Sequence, residues 1–191
     1  MKKKASSKKS GVKKSSSKKL PVPHPLSHPF SHPFSVERAE DSSGFLLWQM
    51  TMLWQRRINA ALKEFDLTHG QFVVLASAAW LARQSDAVTQ QAIAAHANID
   101  KMMTSNIVRS LQEKGLITRA EHSTDTRAKT VTLTPDGERA LMPALHTVER
   151  IDKEVFAPLG TTVATFNQLL QKMLDASRSS HSADSTGSTN L

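Results

Sequence analysis

The chain contains no cysteine and no tyrosine. Without cysteine there can be no disulfide, thiolate-bound metal or thiol redox switch, and a cytoplasmic location is expected. Without tyrosine, no phenol serves any site. No apolar run reaches the ~18 residues a membrane helix needs, so no membrane partner is expected. Acid is missing from residues 1–36, which hold nine lysines. That basic start lacks the apolar stretch of a signal peptide; proline and histidine follow it instead. No Ser/His/Asp ordering, metal motif or phosphate loop is present, so an enzyme is not expected.

The charge is unevenly placed. The net charge is +8, yet beyond residue 36 sixteen basic residues face seventeen acids. The high pI therefore belongs to the tail and says little about the body. A basic flexible arm commonly meets a polyanion through a sequence-blind electrostatic attraction. Residues 20–35 repeat His-Pro-Phe-Ser, at His28 to Ser31 and again at His32 to Ser35. Proline at every fourth position blocks a helix. His24, His28 and His32 read as part of a spacer rather than a metal site. Residues 1–41 and the Ser/Thr-rich 177–191 are expected to be disordered, leaving one domain over 42–176.

Within that domain the apolar spacing predicts a mainly α fold. Ser43 is placed as the cap of a long first helix carrying Leu46, Leu47, Met50, Leu53, Trp54, Ile58 and Phe65. Thr68 and Gln71 match a capping box and open a second helix, with Phe72, Val73, Leu75, Ala76 and Trp80 inward. A short strand is expected at Asp86 to Val88. Thr89 caps a third helix and Asp100 a fourth, whose inner stripe is Met103, Ile107, Val108 and Leu111. Residues 116–120 and 130–133 alternate in polarity and are rich in β-branched side chains, as hairpin strands are. Thr134 caps a fifth helix, which Pro143 should bend. A sixth helix is expected over 161–176.

The stretch from Thr89 to Gly137 thus reads helix, turn, helix, hairpin: a helix suited to a major groove beside a hairpin suited to a minor groove. Three runs then resemble the MarR family of winged helix-turn-helix regulators. These are 67–75 (LTHGQFVVL), 111–119 (LQEKGLITR) and 125–137 (DTRAKTVTLTPDG). They occur in the family's order, and the likeness covers residues 44–176. The basic tail lies outside the family pattern. So does Thr104, where an apolar residue is expected and looser packing would follow.

The resemblance implies a homodimer in which the terminal helices form a dimerisation lobe, with a DNA-reading lobe over 86–134. Wide apolar faces on those helices, including Trp48, Trp54, Phe156 and Phe166, support this independently. A two-fold dimer prefers near-palindromic double-stranded DNA. Ser105 and Asn106 are expected at base edges, Lys101 at a base or phosphate, and Met102 near a thymine methyl. Arg109, Arg119 and Lys129 are candidates for phosphates. Arg127 is the expected minor-groove arginine, held in place by Asp125. Trp48, Met52, Arg56, His69 and Phe72 fall near the family's effector pocket, which would suit a small anionic aromatic molecule. The family's zinc-sensing branch is matched only by His146 and Glu149, with His69 remote in sequence, so no metal is expected. The expected function is sequence-specific transcriptional regulation, as a repressor released by its effector. A second reading is an architectural DNA-coating protein with little sequence preference.

Overall fold

The computed structural model describes residues 35–121 and 128–186. Asp125 and Arg127 lie outside those residues. In chain order the elements are α1 (Ser43–Leu62), α2 (His69–Ala82), α3 (Gln90–Ala97), α4 (Lys101–Glu113), β1 (Ile117–Glu121), β2 (Lys129–Leu133), α5 (Pro135–Phe156) and α6 (Val163–Thr186). Short 3-10 turns cover Ala39–Asp41, Lys63–Phe65 and Ala157–Thr162. No described helix is long and apolar enough to cross a membrane.

The helix starts follow local chemistry. Ser42, one residue before the expected cap, accepts from the Phe45 amide at 3.3 Å. The capping box at α2 is complete: Thr68 Oγ1 accepts from the Gln71 amide, and the Thr68 amide donates to Gln71 Oε1. Thr89, Asp100 and Thr134 cap α3, α4 and α5 in the same way. Each cap meets an amide that would otherwise lack a partner.

The core gathers around α2, which meets α1, α3, α4, α5 and β2. A helix surrounded on several sides needs apolar residues nearly all round. This explains why the one-sided stripe expected for α2 is wrong in detail. Val74, Ser77 and Ala78 are buried, while Trp80 is exposed with the Arg83 guanidinium 5.0 Å from its ring. Asp86 to Val88 forms no strand. An isolated bridge pairs Thr89 with Thr130, and the Val131 amide donates to the Val88 carbonyl at 2.8 Å. α5 continues through Pro143, which is solvent-exposed. α6 runs to Thr186, ten residues beyond its expected end and into the segment taken as disordered.

One junction explains the Leu-Thr-Pro-Asp-Gly run. The Thr134 amide donates to the Leu116 carbonyl at 3.0 Å. The Thr134 hydroxyl donates to the Gly115 carbonyl at 2.7 Å and accepts from the Gly137 amide at 3.0 Å. A Cβ on Gly137 would stand 2.0 Å from the Leu116 carbonyl oxygen. Only a residue without that atom lets α5 start so close to the exit of α4. Gly115 itself has φ +71, the left-handed geometry that ends α4.

Candidate nucleic-acid interface

α4 is held from behind at several points. The Gln71 side chain donates to Ser110 Oγ at 3.0 Å, so the residue completing the α2 cap also reaches α4. Lys114 Nζ donates to the Asp66 carboxylate at 2.8 Å and also to the Asp66 carbonyl. Gly70 leaves room for Ile107, whose Cδ1 would lie 3.1 Å from a Cβ there. The inner stripe differs from the expected one. Thr104, Val108 and Leu111 are buried, whereas Met103 is 54% exposed. The Thr104 hydroxyl donates to the Asp100 carbonyl at 2.9 Å, so burial leaves no polar atom unsatisfied. A buried, bonded threonine replaces both the expected Met103 contact and the expected loosening.

On the outer side Lys101, Met102, Asn106 and Arg109 are exposed, with Met102 at 77%. Ser105 lies on the same side, between Lys101 and Arg109, but is covered. It is half-buried, in a cleft of about 230 Å³ with Lys101, Arg119 and Lys129. The structure therefore divides the expected contacts. Met102, Asn106 and Arg109 present an open helix surface, while Lys101, Ser105, Arg119 and Lys129 meet between α4 and the hairpin. Thr89, Gln90 and Gln91 from the start of α3 line the same cleft and were missed in the sequence. The signal available for them was the cap at Thr89, which marks where α3 begins.

The hairpin is antiparallel, with Ile117 opposite Leu133 and Glu121 opposite Lys129. Lys129 Nζ donates to Glu121 Oε1 at 2.8 Å. The hydrogen bond and charge of Lys129 hold the Glu121 carboxyl below its ordinary pKa. Lys129 thus reaches the cleft with a carboxylate already attached, which weakens it as a phosphate ligand. Arg119 differs: its Nε is buried and has no hydrogen-bond partner. Because that nitrogen is buried, an anion in the cleft would meet the rest of the guanidinium and Lys101, whose positive charges suit a phosphate.

The five residues placed at an effector pocket are not brought together within one chain. Trp48, Met52 and Arg56 line an open surface of α1 with Gln49, Leu53, Gln55 and Asn59. Phe72 is a core residue. His69 packs edge-on against Trp54, with ring centroids 5.1 Å apart. Trp54 Nε1 in turn donates to Asp152 Oδ1 at 2.7 Å, joining α1 to α5. Trp54 and Asp152 were not among the expected site residues, because nothing in their spacing links positions 98 residues apart.

Burial lowers the His69 pKa below its ordinary value near 6.5, with the Asp152 charge opposing. The folded protein then resists a proton that the unfolded chain accepts. Stability is expected to be level above that ordinary value and to fall as pH drops below it. Urea midpoints measured at about pH 7.5 and 5.5 test this in wild type and His69→Gln. The variant should lose less stability over that interval; an equal loss would remove His69 as the cause.

A helix-turn-helix, α3 and α4, packed on α2 and followed by a two-stranded hairpin is the architecture of a winged-helix DNA-binding protein. The sequence profile of the MarR family matches residues 67–129. The HTH-type transcriptional regulator YdcH of Bacillus subtilis is 44% identical over 116 residues, 61% of this chain and 79% of YdcH. The fold is similar to that of MepR from S. aureus in its DNA complex (TM-score 0.64, 25% identity, covering 71% of this chain and 98% of that one). It is also similar to CouR from Rhodococcus jostii RHA1 bound to p-coumaroyl-CoA (TM-score 0.62, 27% identity, covering 72% and 93%). The chain belongs to the MarR family of transcriptional regulators.

Proposed function

We propose that this protein is a dimeric repressor that reads a near-palindromic operator and is released by a small anionic aromatic effector. The observation that carries the reading is the recognition surface itself. Met102, Asn106 and Arg109 stand open on α4, beside a cleft lined by the cations Lys101 and Arg119. Asn106 suits an adenine edge and Arg119 a backbone phosphate. Ser105, recessed beside Arg119, belongs with the phosphate contacts rather than at a base edge. Asp125 and Arg127 lie in sequence between β1 and β2, and a wing arginine there would suit the minor groove. Release would follow if an effector between the lobes changes the separation of the paired recognition helices. The α1 surface around Trp48, Met52 and Arg56 becomes a bounded pocket only if a second chain covers it.

Selection of bound DNA from a random pool tests the reading directly. A palindromic consensus is expected, with Asn106→Ala changing the preferred bases. Selection without a consensus would favour the architectural coating role. Arg127→Ala and Arg119→Ala should each weaken binding to the selected site by about 1–3 kcal/mol while leaving the fold intact. Unchanged affinity at physiological salt would remove that residue from the interface.

The tail contributes a separate, measurable effect. Residues 1–36 carry nine lysines and no acid. Their deletion should keep the consensus but weaken all DNA binding and flatten the dependence of log affinity on log salt. An unchanged salt slope would assign the arm to some task other than DNA.

A further inference from the structure

A second cleft lies on a different part of the molecule and serves none of the roles above. Its walls are the end of α2, strand β2 and the start of α5, and its volume is about 510 Å³. That is the size range of small-molecule sites. No residue of α1 or α6 lines it, so it does not belong to the apolar faces of the terminal helices. Ala78, Ala79 and Ala82 leave the space open, and Val131, Leu141 and Met142 make the opposite side apolar.

The charged groups lining it are both acids, Asp86 and Glu138. Neither has an ion-pair or hydrogen-bonding partner for its carboxylate among the described residues. The nearby guanidiniums are turned to other tasks: Arg83 stacks on Trp80, and Arg139 pairs with Asp136. An apolar floor with two free carboxylates and no cation is complementary to one ligand class, a hydrophobic organic cation. We propose that this cleft binds such a cation, with its apolar body against Ala79, Val131 and Leu141 and its charge toward Asp86 and Glu138. Because β2 forms one wall, the occupant braces the wing against the end of α2 and the segment that follows it, where the Val131 amide already meets the Val88 carbonyl. The site is independent of the effector region on α1 and stands whether or not an anionic effector exists.

Calorimetric titration of the full chain with tetraphenylphosphonium tests the proposal, with the similarly shaped anion tetraphenylborate as control. One cation per chain is expected to bind saturably, with no borate binding at the same site. Asp86→Asn combined with Glu138→Gln should weaken the cation by about tenfold or more through loss of both charges. Ala82→Leu, on an exposed helical position, should fill the cleft and abolish the saturable phase. Equal affinity for cation and anion would overturn the proposal, as would cation binding unchanged in both variants. A saturable phase that persists in Ala82→Leu would likewise place the cation elsewhere.

Discussion

Gly137→Ala is expected to destabilise the protein by about 3 kcal/mol or more, far above the effect of a typical helical glycine. The new Cβ would fall 2.0 Å from the Leu116 carbonyl oxygen. That oxygen cannot move freely, because it accepts the Thr134 amide. Relief requires α5 to lift away from the end of α4, which breaks the Thr134 bonds to Gly115 and Leu116 together. The recognition helix would lose its C-terminal anchor, so DNA affinity should fall along with stability. Gly44→Ala is the control. Nothing lies within 4 Å of its added carbon, and α1 should be unchanged or slightly stabilised. Chemical denaturation of both variants measures the contrast. Similar midpoints for the two would show that the α4–α5 junction yields more easily than its geometry indicates.

Leu169→Arg together with Met173→Arg is expected to convert a dimer into a folded monomer and lower operator affinity on the order of 100-fold or more. Leu169, Met173 and Leu174 are exposed along α6, which within its own chain packs mainly on the Ala157–Thr162 turn. Phe45, Leu46, Leu47, Trp48 and Leu53 are exposed on α1. So large an apolar surface is stable in water chiefly when another molecule covers it, and a second copy offers the matching face. Two arginines one turn apart on α6 would place unpaired charge in that contact. Sedimentation at micromolar concentration reads the assembly, and a titration of operator DNA reads the affinity. A wild-type chain that sediments as a monomer would refute the dimer. A double variant that binds operator as tightly as wild type would refute its role in DNA binding.

The apolar grounds for the dimer changed once packing was visible. Trp54, Phe156 and Phe166 are partly covered within the chain: Trp54 bonds to Asp152, and Phe156 lies 5.8 Å from Phe166. Of the four aromatic residues first offered for that interface, Trp48 remains exposed, at 60%. The same periodicity places a side chain on a helical face without saying whether its own chain or a partner covers it. The recognition helix shows the same limit. Asp100, the helix length and the outward placing of Asn106 and Arg109 were legible from capping chemistry and spacing. The exchange of Met103 for Thr104 was not, because a threonine satisfied by its own helix can occupy a core position that polarity alone assigns elsewhere.

Local chemistry therefore determined the elements and their order. Caps at Thr68, Thr89, Asp100 and Thr134, β-branched strands and the glycines at 115 and 137 act over a few residues, and the linear sequence carries them directly. The family's spaced motifs added the winged helix-turn-helix reading. Tertiary structure alone decided which distant groups come together: Gln71 bonds Ser110 and Trp54 bonds Asp152, while Arg119 shares one cleft with Lys101 and Ser105 and Asp86 another with Glu138. Those meetings depend on how helices cross and on which side chains packing leaves unpaired, and no short-range pattern encodes either.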